Sequence, residues 1–498
     1  MISVDYAQLL RIALPQVIVV ITALIVMAID LLALRHRNTH TRFTFSVAIA
    51  SLGCTVAILR ILFSPVVANI LNGTLIANPL THLVQITLLV LTIISLLLSV
   101  NSTFTEHVGE YILLVLFATV GMMFLVATQD LLIIFISLEL LSLSLYILAA
   151  FNKRSAQSWE AALKYFLFGG MSAAFLLFGF SLLYGLSNST SLPHISATIH
   201  SSSLNPLLAI AIVTTAIGLG FKVAAVPFHF WAPDVYQCAP TPSAAFIASG
   251  SKIASFFIYF QVMALGFVGS EGSLSFPHLI RGWVPVLALM SVASMLLGNL
   301  VAIVQSSLRR LLAYSAIAHA GYMLLAIIAH TEQSLAALLY YVFTYALATI
   351  GAFAVISVVE EERGNDQLSN FNGLGRQAPV LSFCLAIFIL SLAGIPPLAG
   401  FLGKFYLFVT VLASISGLTS LLWLVAFALA MSAVSLYYYL QVLKRVYVTP
   451  FTGDTAPIHT PVFKQILVAA LAAAVVLFGC APQPLLHSLL SAIQVSGL

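Results

Sequence analysis

Apolar residues run along this chain in long unbroken stretches separated by short polar breaks, with neither the alternation of a β-strand nor the one-sided stripe of a soluble helix. A hydrocarbon core about 30 Å thick takes roughly 20 apolar residues per helical crossing. The stretches near that length number about fourteen, at 12–34, 43–63, 79–100, 110–128, 130–151, 161–186, 206–230, 242–267, 283–304, 310–330, 334–359, 380–412, 417–443 and 463–480. A barrel strand would alternate inward-polar and outward-apolar positions, and these runs do not. The pattern therefore predicts an all-α polytopic membrane protein of about 14 transmembrane helices.

Composition agrees: of 498 residues 61% are hydrophobic and 7% charged, against roughly 25% charged in a soluble domain. The net charge of +4 matters through its placement and is no nucleic-acid footprint. Arg11, Arg60 and Arg281 fall on one side of the predicted spans, and Lys164, Lys222, Lys252 and Lys404 fall within them. The other twelve of the 19 Lys and Arg residues lie in the odd-numbered loops. By the positive-inside bias those loops are cytoplasmic and both termini lie outside. No small-residue cleavage site follows the first apolar stretch, which is read as a retained helix. The four cysteines are far apart and form no CxxC pair, so no iron-sulfur or zinc motif is legible. No loop is long enough for a catalytic module, which places the function inside the membrane or in partner proteins.

The intramembrane ionisable residues are Glu139, Lys164, Lys222, Lys252, His319 and Lys404. Each lysine at a helix centre costs about 2.5–3.5 kcal/mol, so four left in lipid would cost roughly 10–14 kcal/mol. They face protein, a counter-ion or water, unless some snorkel to the interface. Pro227 follows Lys222 in GLGFKVAAVPFHFWAPDVY, and Pro396 and Pro397 precede Lys404 in SLAGIPPLAGFLGKFY. A mid-span proline breaks or kinks a helix, and broken membrane helices persist where the freed carbonyls line a cavity. These are the seventh and twelfth spans, five apart, and an odd repeat unit must be inverted relative to its copy. The chain thus divides into three N-terminal spans (1–105), a first five-helix repeat of spans four to eight (106–270), an inverted second repeat of spans nine to thirteen (271–446), and a C-terminal loop and last span (447–498). Lys222 and Lys404 are expected in matching slots of the two repeats.

Acids and amines following one another across a membrane are what proton relay requires. Desolvating an ammonium by about 4 kcal/mol brings its proton affinity into the physiological range, and a nearby carboxylate holds the charge until it withdraws. His229 and Asp234, at the end of the seventh span, read either as relay groups or as a helix terminus within an aromatic belt. His319 reads either as a relay or as a packed histidine, and Asp30 as an interfacial residue.

The strings SLELLSLSLYIL, AALKYFLFGG, FKVAAVPFHFWAPDVYQCAPTPSAAFIASGSK, QSSLRRLLAYSAIAHAGYML and LSLAGIPPLAGFLGKFYLF resemble the antiporter-like membrane subunits of proton-pumping NADH-quinone oxidoreductase, respiratory complex I, and among them the bacterial subunit N family. The resemblance spans about helix four to helix thirteen. It implies that Glu139 and Lys222 form an ion pair, that Lys164 modulates it, that Lys252 is the central relay and that Lys404 leads to the outward exit. It implies a non-redox translocase subunit in the bacterial inner membrane, with no cofactor in this chain. NADH, flavin, iron-sulfur clusters and quinone would belong to partner subunits, namely the other membrane subunits and, through them, the peripheral redox arm. Cys238 departs from the family's usual Gly before APTP. A cation/proton antiporter subunit of the same fold is the alternative function, and an inert scaffold the third.

Overall fold

The computed structural model of the chain describes residues 6–63, 65–70, 72–100, 102–200, 205–274, 281–414, 421–450 and 461–497. Its helices begin with α1 (Tyr6–Leu32), α2 (Thr39–Phe63) and α3 (Pro79–Ser99), with a hairpin of β1 (Ala68–Ile70) and β2 (Leu75–Ala77) between the last two. There follow α4 (Val108–Leu125), α5 (Leu131–Ala149), α6 (Ala156–Ser187), the short α7 (Leu192–His200), α8 (Pro206–Lys222), α9 (Trp231–Cys238) and α10 (Thr241–Gly266). The next group is α11 (Trp283–Ile303), α12 (Leu308–Ala329), α13 (Glu332–Arg363), α14 (Leu374–Gln377), α15 (Pro379–Ala393), α16 (Ala399–Ala413) and α17 (Leu422–Tyr447). The chain closes with α18 (Val462–Cys480) and α19 (Gln483–Ser496). Among the described residues twelve helices are long and apolar enough to cross a membrane. The pairs α8/α9 and α15/α16 are the two broken crossings, which completes fourteen. The hairpin, α7 and α19 carry too little continuous apolar sequence to register as spans, and the thirteenth span starts at Leu422, residues 415–420 being outside the described set.

Helices α10, α12 and α13 form the centre, with 100%, 94% and 94% of their most apolar windows covered by protein, against 33% for α6 and α17. A lysine on α10 is therefore out of reach of the lipid interface, and snorkelling is not available to it. Asp30 departs from the interfacial reading: it is fully buried, bound by Arg42 Nε at 2.8 Å and Nη2 at 2.5 Å, and accepts the Gly109 N–H at 3.0 Å. A Cβ at Gly109 would stand 2.9 Å from Asp30, so only glycine lets α4 close on this pair. Burial is tolerated because the charge is neutralised and hydrogen-bonded in place.

The two five-helix units, α4 to α10 and α11 to α17, share details beyond helix count. Their third helices, α6 and α13, are each 32 residues long. The N-cap of α5, Asp130, bridges Ser191 just past α6, and the N-cap of α12, Ser307, bridges Gln367 just past α13. The flanking backbone bonds repeat as well: Leu131 N–H to Thr190 O and Leu192 N–H to Gln129 O in one unit, Leu308 N–H to Asp366 O and Leu368 N–H to Ser306 O in the other. The side-chain lock is reversed, with Thr190 Oγ1 donating to Asp130 Oδ2 at 2.5 Å and Ser307 donating to Asp366. Five crossings separate the two clamps, so they close opposite membrane faces, as inversion demands.

Candidate functional site: a buried basic chain between two broken helices

The two broken helices end in the same way. Ala224 (φ +59°) and Gly394 (φ +87°) adopt left-handed backbone, and the next N–H bonds a carbonyl five residues back, Ala225 to Gly220 at 2.9 Å and Ile395 to Leu390 at 3.1 Å. This six-to-one closure is a Schellman cap, which uses up orphan carbonyls at a helix end. Three residues on stand the cis prolines Pro227 and Pro397. Counted from these caps, positions 170 residues apart correspond: Ala224 with Gly394, Pro227 with Pro397. Lys222 then corresponds to Leu392, and Lys404 to Asp234. The expected match between Lys222 and Lys404 is thus corrected, because one lysine precedes its break and the other follows it.

In the first repeat Lys222, 8% exposed, closes α8. Its ammonium donates to Ser142 Oγ and, at 3.4 Å, to the Tyr146 hydroxyl, and stands 5.6 Å from the Tyr146 ring centroid. Glu139, Ser142 and Tyr146 follow one another at helical spacing on one face of α5. Glu139 acts electrostatically on both Lys222 and Tyr146. No ion pair within 4 Å joins it to Lys222 among the described residues, so the pair implied by resemblance is here a through-space interaction, with Ser142 taking the amine. Lys164 is elsewhere: it bonds Glu160 at 2.8 Å and Asp234 at 2.9 Å, and Asp234 also takes Arg310 at 2.8 Å. This ladder ties α6, α9 and α12 together. His229, in the turn between α8 and α9, is 4% exposed and packs on Phe230, and its Nδ1 has no hydrogen-bond partner among the described residues.

At the centre, Lys252 on α10 is 1% exposed; its ammonium donates to Ala316 O at 2.8 Å and lies 5.5 Å from the Tyr345 ring centroid. One turn along α12 is His319, 2% exposed. Its Nδ1 meets the Tyr341 hydroxyl at 2.6 Å and its Nε2 the Tyr439 hydroxyl at 3.2 Å, while the rings of Tyr322 and Tyr345 flank it at 5.8 and 5.0 Å. Both Lys252 and Lys404 act on His319 electrostatically. The Tyr322 hydroxyl accepts from Asn299, whose Oδ1 accepts from Tyr438 at 3.1 Å. Lys404 completes the series: 5% exposed, 5.3 Å from the Tyr322 ring, it donates to Leu392 O (3.2 Å), Ala393 O (3.1 Å) and Ser432 Oγ (3.0 Å). The carbonyls released by the second break are thus held by the lysine beyond it.

Lys252, His319 and Lys404 come together around one tyrosine cage, with Lys222 and Glu139 on the adjoining first repeat and Lys164 and His229 off this line. The tyrosines Tyr322, Tyr341, Tyr345, Tyr438 and Tyr439 are the chemistry that the search for charges overlooks. Their signal is in the sequence, as YYVFTY and YYY within otherwise aliphatic helices. Tyrosine offers a hydroxyl that both donates and accepts while its ring is compatible with the apolar core.

The chain as a whole is similar to known proteins. The family described as NADH:quinone oxidoreductase/Mrp antiporter, TM, matches residues 127–432. NADH-quinone oxidoreductase subunit N 2 of Acidobacterium capsulatum is 51% identical over 97% of this chain and 99% of its own length. NADH-quinone oxidoreductase subunit N of Nitrosomonas europaea is 36% identical over 97% and 98%. Among solved structures, a chain of respiratory complex I from Thermus thermophilus, 32% identical, superposes with a TM-score of 0.78 over 95% of this chain and 99% of that one. A chain of the Mrp complex from Dietzia reaches 0.81 over 97% of each at 20% identity, which shows the shared fold alone. With this coverage, fourteen crossings and two inverted, proline-broken repeats, the chain belongs to the NADH:quinone oxidoreductase/Mrp antiporter family, in its subunit N group.

Proposed function

We propose that this chain is a proton-conducting membrane subunit of an NADH:quinone oxidoreductase, a non-redox translocase component that moves protons through Lys252, His319 and Lys404 under the control of Lys222 and Glu139. The observation that carries the reading is the continuity of ionisable groups and hydroxyls from Lys252 past His319 and Tyr322 to Lys404, a line whose three ionisable side chains are each at most 5% exposed. Buried amines lacking a contacting carboxylate are expensive, and function is the usual reason for keeping them. Redox energy released in partner subunits that hold flavin, iron-sulfur clusters and quinone would displace Glu139 relative to Lys222. That alters the field on Lys222 and biases transfer towards Lys252. Each proton moved against 100 mV requires about 2.3 kcal/mol, comparable with desolvating one amine. The charge bias sets the loops carrying Arg35, Lys153 and Arg363 in the cytoplasm of a bacterial inner membrane, with both termini outside.

The antiporter reading predicts sodium-linked proton exchange independent of NADH. The test is Lys222→Ala and Glu139→Gln in the assembled complex, in sealed vesicles with a pH dye. The relay reading expects acidification per NADH oxidised to fall about tenfold or more. Unchanged acidification per NADH in both variants contradicts it.

A further inference from the structure

A polar vestibule of about 640 Å³ opens at the membrane face that carries Arg154, and its lining includes Arg309, Thr241, Ser357 and Glu360. Its inner wall is a compact charged lock. Arg309, 6% exposed, gives Nε to Tyr236 O at 2.7 Å, Nη2 to Ala239 O, and Nη1 to Glu360 Oε1 at 3.0 Å and Thr241 Oγ1 at 3.3 Å. Thr241 Oγ1 in turn donates to Glu360 Oε2 at 2.5 Å. The lock joins the α9–α10 junction, α12 and α13. Nε and Nη2 of Arg309 are held by backbone carbonyls and Nη1 is shared between Thr241 and Glu360, so the guanidinium keeps hydrogen-bond partners besides the carboxylate.

Behind the lock, among the described residues, the hydroxyls of Tyr236, Ser243 and Thr349 are buried without a hydrogen-bond partner. The Tyr236 side chain is fully buried, packs its ring on Phe353 at 6.0 Å, and its hydroxyl has no hydrogen-bond partner among the described residues. A buried hydroxyl that both donates and accepts suits a group that hands a proton on. Tyr236 interacts electrostatically with Tyr345, whose ring carries the Lys252 ammonium at 5.5 Å. On α13 the residues Tyr345, Thr349, Phe353, Ser357 and Glu360 follow at three- and four-residue spacing, one face running from Lys252 to the vestibule over about 22 Å.

We infer that this vestibule is the proton-uptake mouth, that Glu360 held by Arg309 is its inner gate, and that Tyr236 passes the proton on to Lys252. A hydronium ion in the vestibule protonates the Glu360 carboxylate and leaves as water. Glu360 gives the proton through intervening water to Tyr236, whose oxygen gains one proton as it releases its own. Once the Lys252 ammonium has released its own proton towards His319, its neutral amine takes the proton from Tyr236 and is ammonium again, and Glu360, again a carboxylate, re-forms its pair with Arg309. The inference rests on the relay reading above, since it supplies protons to Lys252.

The experiment uses the whole complex in inside-out vesicles, with NADH oxidation, acidification and assembly on native gels measured together for Glu360→Gln, Glu360→Asp, Tyr236→Phe and Lys252→Met. Glu360→Gln is expected to lower acidification and coupled turnover about tenfold or more in assembled complex, and Glu360→Asp to restore part of it. Tyr236→Phe keeps the ring and its packing and is expected to lower both severalfold, an effect that a purely structural tyrosine would not produce. Wild-type pumping in Glu360→Gln and Tyr236→Phe alongside loss in Lys252→Met overturns the uptake path and leaves the relay standing. Wild-type pumping in Lys252→Met as well overturns the relay itself. Should Glu360→Gln fail to assemble, Tyr236→Phe decides.

Discussion

The two broken helices have one backbone plan and two distributions of charge. Ala224 and Gly394 close the first halves with the same left-handed cap, and Pro227 and Pro397 follow at the same distance. In the first repeat the lysine precedes the cap and reaches outward to Ser142 on α5. In the second the lysine follows the break and folds back onto the carbonyls of Leu392 and Ala393. Where Lys404 stands in the second repeat the first has Asp234, tied to Lys164 and Arg310. The neighbouring helices differ in the same sense. Counted from the matching N-caps Asp130 and Ser307, Ser142 corresponds to His319, and Glu139 to Ala316, the residue whose carbonyl takes Lys252. At matched positions, then, the first repeat carries Asp234 and Glu139 where the second carries Lys404 and a backbone carbonyl that takes a lysine. On the relay reading, this division gives one slot of a duplicated scaffold two uses, a structural tie at Asp234 in the first repeat and a relay group at Lys404 in the second.

The sharpest way to break this division is to remove the two corresponding residues in turn. Lys404→Ala removes a relay group and is expected to reduce NADH-driven acidification about a hundredfold in assembled complex, within the range for a lost proton-transfer group. Asp234→Ala removes a tie and is expected to reduce it about tenfold or less, with weaker assembly on native gels, since charged hydrogen bonds contribute roughly 1.5–3 kcal/mol each. Equal losses without any assembly defect would show that both residues conduct, and the division would fail.

A smaller effect sharpens the backbone side of the comparison. The left-handed slot suits glycine, and an L side chain there costs about 1–2 kcal/mol. Ala224→Gly is expected to stabilise the first break by up to about 1 kcal/mol. Gly394→Ala is expected to destabilise the second by about 1–2 kcal/mol, and its Cβ would stand 3.1 Å from Lys404 Cδ and press on the relay lysine. Thermal unfolding of the purified complex reads both, and shifts of the same sign would contradict the shared cap.

Much of this was legible in the sequence because membranes impose strict rules. Apolar runs located the fourteen crossings, the prolines marked both breaks, and scarce charges pointed to Lys222, Lys252, His319 and Lys404. The register of the repeats was not legible, since it depends on which carbonyl each cap closes and on Ala224 adopting a backbone usually left to glycine. Asp30 read as interfacial because its partners are distant in sequence, Arg42 on α2 and the Gly109 amide 79 residues away. The tyrosine cage was missed for a similar reason: its members come from α12, α13 and α17, and only packing brings them to one histidine.

The central claim is that the buried basic chain carries the proton, and Lys252 is its innermost member. Acidification of inside-out vesicles per NADH oxidised, measured on assembled complex bearing Lys252→Met, tests it most directly, because methionine keeps the length and packing of the side chain and removes the charge. The account predicts that acidification per NADH falls about tenfold or more. A wild-type ratio at wild-type turnover would contradict it.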